Sequence, residues 1–424
     1  MNAITSLSGL LDDRRRWPIT RESLNPPLSL RRAQSTTLAT ATAADGMTLL
    51  GHGADQARFN GAARRLRIEG QRTNAVRNPR GQGAAAGTPG TLPTFWSVQN
   101  TPVGMTREVV DTGTENGMNY IELMLFGTPT ANAEFYLIFD ATTAIAAVMG
   151  QVWSASLSMR WVGTPTGVTT VTLGVEERSG AGGFLVADGT TVAVSGAFAR
   201  FSATRAMGNA ACAFANAYVA FLVQAGVPVS ARVRLAWPQL EMGAFASSPI
   251  LPPIGSPAAS TRGADLVTAT LTSQVVGANG ACTVLGTFML TQTVSLGLTQ
   301  TLLAIDGGSA NERWQVTNAS GAAIGMQRVT GGASVSSGTA GSFAPGLPFR
   351  IGITCDGAGR LALCIEGGAV EVLTGAPTSG MTTLRVGSNV ASANPMFGET
   401  APLSVLPWAL PDLALAMQVL ALPL

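Results

Sequence analysis

Between residues 153 and 161 the chain alternates without interruption. Trp153, Ala155, Leu157, Met159 and Trp161 fall on one side of an extended backbone, and Ser154, Ser156, Ser158 and Arg160 on the other. A period of two marks a strand with one face in a core and one toward water. The pattern returns at Phe349, Ile351, Ile353 and Cys355, and resumes at Leu361, Leu363 and Ile365 after the loop "DGAGR". Two such runs around a glycine-containing loop predict a hairpin. "VTTVTLGVEE", "FARFSAT", "FANAYVAFLV" and "VSARVRLAWPQLE" precede it, and "CTVLGTFML", "TLLAID", "RWQVTN", "LALCIEG" and "TLRVGS" extend the series to the end of the chain. Short strands at this spacing predict antiparallel sandwiches or jelly rolls.

Breaks in the pattern divide the chain. "RRLRIEGQRTNAVRNPRGQGAAAGTPGTLPTFW" begins strand-like and dissolves into Gly, Ala and Pro, and "SSPILPPIGSPAASTRGADLV" is rich in Pro and Ser. The reading is all-β. It has an N-terminal docking segment over 1–80, a linker over 81–94, a jelly roll over 95–250, a second linker over 251–267, and a sandwich over 268–424. The apolar tail predicts a short helix from Pro411, since proline suits a first helical turn. Asp412 and the prolines of that tail exclude a transmembrane helix, which needs ~20 uninterrupted apolar residues.

Charge changes the picture at one end only. The chain has 424 residues, 12% of them charged, and every base is arginine. Residues 1–80 hold 13 Arg against 6 acids, and residues 81–424 hold 13 Arg against 18 acids. Because the early arginines are interleaved with apolar stretches, the segment reads as a dock for another protein rather than a nucleic-acid arm. The first charges follow an apolar run, the reverse of a secretory signal. The four cysteines, Cys212, Cys282, Cys355 and Cys364, have no zinc-site spacing. Cys355 and Cys364 fall on opposite faces of the hairpin, so these two are expected reduced.

"RLRIEGQRTNAVRNPR", the "FW" at 95–96 and "PQLEMGAFASSPI" bracket the first β module. This bracket resembles one in virion proteins of tailed phages, prophages and gene transfer agents, where the enclosed module is similar to carbohydrate-binding jelly rolls of the galactose-binding type. "FRIGITCDGAGRLALCIEGGAVEV", "TTLRVGSN" and the closing strand and helix resemble a concanavalin A-like, laminin-G-like sandwich, with Glu366 in place of the usual Asp. The resemblance implies a spike or fibre protein on a particle surface. Its partners would be other virion proteins, met through the N-terminal segment, and host surface or capsular polysaccharide, and it would act as a symmetric oligomer.

The residues themselves give little chemistry. His52 is the sole histidine and sits in a "GHGADQ" loop, so a serine–histidine triad would have to use it. Glu176 and Glu177 are adjacent and face opposite ways on a strand, and the acids beyond residue 268 stand singly, so no glycosidase pair is visible. Asp306 and Asn389 could hold calcium, yet surface turns explain them as well. Trp153, Trp161 and Trp237 belong to core faces. Trp314 is less clearly core, and the forks of Arg160, Arg232 and Arg234 could pair with an acidic polysaccharide. The candidate glycan-binding residues are therefore Arg160, Arg232, Arg234, Trp314 and Asn389, with no catalytic residue, metal or cofactor, no membrane and no nucleic acid. A capsule depolymerase and a purely structural spike base stay open as alternatives.

Overall fold

The computed structural model describes all residues except 1–15, 27, 34–36, 273–275, 278, 295–298, 377–379 and 391–393. In it the alternating strand Val152–Trp161 turns Ala155, Leu157 and Met159 into the core of a two-sheet jelly roll. One five-stranded sheet runs Met105–Glu115, Met118–Gly127, Val229–Met242, Val152–Trp161, Ala199–Ala206. The other runs Phe184–Thr191, Val168–Arg178, Phe214–Val223, Ala133–Ile138, Ser97–Asn100. Every pairing between these strands is antiparallel.

The polar face of Val152–Trp161 is buried as well, a departure from the half-exposed strand its alternation predicts. Ser154, Ser156 and Ser158 are sequestered: Ser154 bonds Thr204 and the Gly243 carbonyl, and Ser156 accepts from Arg200. The N-terminal hairpin Leu38–Thr42 and Leu49–His52 packs on the outside of the same sheet. Leu38, Leu49 and Leu251 pack there on Met118, Tyr120 and Trp237. A bulge makes the contact: Trp237 sits at φ 51° where the register slips, and so leaves the sandwich core for the outer cluster.

The second sandwich is larger than residues 268–424. Its nine-stranded sheet includes Arg16–Thr20, Ser23–Leu24, Phe59–Asn60 and Arg65–Ile68, and its seven-stranded sheet includes Ser29–Arg31. Ile19, Leu28, Leu30, Leu66 and Ile68 are buried in the same core as Val284, Ile351 and Leu403. Five strands of the predicted docking segment thus complete the C-terminal sandwich, while its hairpin of Leu38–Thr42 and Leu49–His52 packs on the jelly roll, which is an insertion into that sandwich. Nor is 251–267 a free linker. Ser260–Arg262 pairs with Arg72–Asn74, and Leu266–Thr270 is a strand of the seven-stranded sheet.

The insertion point is a buried ionic junction. Arg32 and Arg58 both bind Asp265, Arg58 and Arg262 both bind Glu69, and the three arginines are fully buried. Burial alone would raise the Glu69 pKa, but the guanidiniums of Arg262 and Arg58 hold it well below the usual carboxylate range. Arg72 stacks on the rings of Phe245 and Phe397, at 4.7 and 4.8 Å, tying the jelly-roll exit to the larger sandwich.

The hairpin follows its pattern. Ile353 faces Leu363, and Cys355 faces Leu361. Ile351, Ile353, Cys355, Leu361 and Leu363 enter the core, while Ala362 and Cys364 point the other way, under the helix Asp412–Leu420. That helix approaches closely because Gly352 has no side chain: a Cβ there would meet Val419 at 2.5 Å. All four cysteines are free thiols. Among the described residues no helix is long and apolar enough to cross a membrane.

Candidate functional site

Three of the predicted site residues come together, and their partners lie within the chain. On the outer face of the jelly roll's first sheet, Arg160 binds Glu115 at 3.0 Å, Arg234 binds Glu122 at 2.8 Å and also Glu115, and Arg232 binds Glu122. Arg234 also lies 4.0 Å over the ring of Tyr120. Forks already holding carboxylates are poorly placed to take those of a polysaccharide. Trp314 is a core residue of the other sandwich, with 2% of its surface exposed. Asn389 is half-buried in the same domain, in the loop after Thr383–Val386. The five residues therefore form no common site. Among the described residues no cluster of metal-ligand type exists; the Asp306 carboxylate is taken by Arg385 and by the Gly308 amide.

A different surface has the geometry of a binding groove. On the outer face of the second sheet, Tyr136 and Tyr218 stack with ring centroids 4.6 Å apart and planes 18° from parallel. The ring of Tyr218 lies flat because the neighbouring strands carry glycine. A Cβ on Gly174 would come within 2.6 Å of that ring, and one on Gly189 within 2.7 Å of its hydroxyl. Tyr136 donates to Glu176 Oε2 at 2.9 Å, and Arg178 grips the same carboxylate through Nε at 2.7 Å and Nη2 at 3.0 Å. Phe184, 57% exposed, stands 5.6 Å from the Arg178 guanidinium. Gln99, Asn100, Ala133 and Glu134 complete a shallow groove of about 380 Å³.

The electrostatics keep both phenols neutral. Burial, then the charges of Glu134, Asp188 and Glu176, push the Tyr218 hydroxyl up to about 12. Burial and Glu176 raise Tyr136 as well. Glu176 and Glu177 do face opposite ways: Glu177 accepts from Arg205 and from the amides of Gly208 and Asn209. Asn216, in register with Glu176, is buried with neither amide atom partnered among the described residues. Sequence reasoning passed over this face because its aromatics are two tyrosines and one phenylalanine. The legible signal was the alternation of Tyr136 and Ile138, and of Tyr218 and Ala220, with the core residues beside them.

A larger cleft of about 660 Å³ lies over the first sheet, between the N-terminal hairpin and the second sandwich. It is lined by Phe198, Arg200, Phe201 and Phe245, but also by Arg67 and Glu69, which are engaged in ion pairs of the junction.

No family model and no curated protein matches the chain. Parts of solved structures resemble it weakly. The CBM40 of the Ruminococcus gnavus IT-sialidase, solved with α2,3-sialyllactose, is 16% identical with a TM-score of 0.27, over 33% of this chain and 82% of that one. The CBM22-1 xylan-binding domain of Paenibacillus barcinonensis Xyn10C is 14% identical with a TM-score of 0.23, over 36% and 88%. A heptameric SAP-like pentraxin from Limulus polyphemus is 14% identical with a TM-score of 0.26, over 32% and 68%. Several of these neighbours are carbohydrate-binding modules, but likeness at this level identifies neither a family nor a ligand.

Proposed function

We propose that the chain is a non-catalytic glycan-binding protein, displayed on a phage-like particle and contributing to attachment to host surface polysaccharide. The observation that carries the binding role is half-buried Tyr136, backed by the buried ring of Tyr218, beside exposed Phe184 in a groove rimmed by Gln99, Asn100 and Arg178. A pyranose ring has an apolar face for an aromatic ring and hydroxyls for planar amide and guanidinium groups. The groove is a poor hydrolase. Glycoside cleavage requires two working carboxylates. Here Glu176 is held by Arg178 and Tyr136, which leaves exposed Glu134 as the groove's carboxylate without an ion pair among the described residues. The particle location rests on the sequence bracket around the jelly roll. Symmetric display would add avidity to weak single sites.

Purified protein should bind encapsulated host cells and ignore capsule-free mutants. Tyr136→Ala with Phe184→Ala should weaken that binding by tenfold or more, without change in melting temperature beyond a few degrees. Equal binding to both cell types removes glycan recognition. Release of reducing ends from purified capsule makes the protein a depolymerase.

One observation favours a structural spike base. Of the six tryptophans with described surroundings, Trp96, Trp153, Trp161, Trp237 and Trp314 are buried and Trp408 is half-buried, so no indole offers an open platform. Unchanged particle attachment in the double variant decides for that reading.

A further inference from the structure

The strand Ala323–Thr330 alternates Ile324, Met326 and Arg328 on its inward face. The first two are ordinary core residues. Arg328 is an arginine at a core position, 1% exposed. Its Nη1 donates to the carbonyls of Gly359, at 2.7 Å, and Ala376, at 3.3 Å, and its Nε has no partner among the described residues. Among the described residues no carboxylate lies within ion-pair distance, and the only acids outside them are Asp12 and Asp13. A buried cation without a counterion is unfavourable, since carbonyl dipoles replace only part of its hydration.

Arg328 also lines a cavity of about 180 Å³ at one end of the larger sandwich. Trp314 faces it in register on the same sheet, and Cys282 and Cys355 are paired in register on the opposite sheet. Leu271, Val276 and Met381 add apolar wall, and Asn279, Gly357, Gly359 and Gly380 also line it.

We propose that this cavity binds a small organic acid, its carboxylate on Arg328 and its apolar body against Trp314, Leu271 and Met381. The guanidinium fork matches a carboxylate in geometry. A single negative charge balances the single cation, whereas a phosphate dianion would leave one charge uncompensated among apolar walls. Burial pushes the Cys282 thiol far up and raises Cys355 as well, so both present neutral, weakly polar surfaces. The site lies in the other sandwich from the Tyr136 groove and stands independently of it.

The test is titration calorimetry of the full chain with sodium butyrate, with n-butanol as the uncharged isostere and sodium chloride at matched ionic strength. Wild type should bind butyrate and not butanol, and its melting temperature should climb with butyrate concentration as binding to the folded state requires. Arg328→Met should lose butyrate affinity at least tenfold. Arg328→Lys keeps the charge without the fork, should bind severalfold more weakly than wild type, and serves if the methionine variant fails to fold. No heat with wild type, equal response to butanol, or undiminished affinity in the variants overturns the proposal.

Discussion

Thr73 and Thr261, 188 residues apart in the chain, face each other across a two-stranded neck with their hydroxyl oxygens 2.8 Å apart. The chain enters the jelly roll beside Thr73 and leaves it beside Thr261, so that module is an excursion from a sandwich that begins before it and finishes after it. Arg58, Arg262, Glu69 and Asp265 sit at the same junction, fully or almost fully buried. A module on so short a neck keeps a defined orientation to the larger sandwich.

The insertion predicts which fragments fold. Among the described residues the buried jelly-roll core runs from Val76 to Leu240, so a fragment spanning 75–250 should melt cooperatively by itself. A fragment starting at residue 251 lacks Ile19, Leu30, Leu66 and Ile68. It should be collapsed or aggregated by circular dichroism and calorimetry. Supplying residues 16–70 in trans should restore a transition. A sharp native-like melt from the 251–424 fragment alone would show that the early strands are dispensable.

Asp265 accepts from two fully buried arginines. Asp265→Ala leaves both cations short of a partner, and loss of one member of a buried ion pair costs roughly 3–5 kcal/mol. Denaturant unfolding should show this loss in the larger sandwich while the jelly-roll transition holds. Loss of less than about 1 kcal/mol would mean that the junction is solvated.

Acid should loosen the junction in two steps. Burial, then the charges of Arg58, Arg32 and Arg64, lower the His52 pKa from 6.5 to about 4, against Asp265, which raises it. Between those values the unfolded chain binds a proton that the folded chain refuses. Stability is therefore intact above pH 6.5 and declines as the pH falls toward 4. Glu69, depressed by its arginines against burial, adds a further loss below the ordinary glutamate value of 4.5. His52→Gln should flatten the first part of the decline and leave the second; a pH–melting curve superimposable on wild type assigns the acid sensitivity elsewhere.

In the hairpin, Leu363 is fully buried. Leu363→Ala should cost about 2–5 kcal/mol. Asp356 accepts from the amides of Ala358 and Arg360 in an exposed turn, so Asp356→Ala should cost about 1 kcal/mol. Gly352→Ala should separate the helix from the sheet, read as early loss of helical signal on heating. An Asp356 variant less stable than the Leu363 variant contradicts this register.

Alternation alone located the strand Val152–Trp161 and the hairpin around residue 357, the opposite faces of Cys355 and Cys364, and the opposed directions of Glu176 and Glu177. These follow from a period of two that any extended backbone imposes, so local sequence suffices. The destination of the outward residues was not legible. Ser154, Ser156 and Ser158 look solvent-facing yet are buried, Ser154 against Thr204 and Gly243 and Ser156 under Arg200, residues far away in the chain. Arg160, Arg232 and Arg234 look available, and only the register of Met118–Gly127 beside Val229–Met242 brings Glu122 to two of them. The Tyr136 groove likewise needs Ala133–Ile138 and Val168–Arg178 on either side of Phe214–Val223. The division of the chain shows the same limit most clearly. Strands as short as Ser29–Arg31 carry too few residues to announce a partner, and theirs, Leu266–Thr270, lies more than 200 residues away. Residue type and period determine which way a side chain points from its own strand; what it meets there is decided by pairings between distant segments, whose stability comes from burying a shared core.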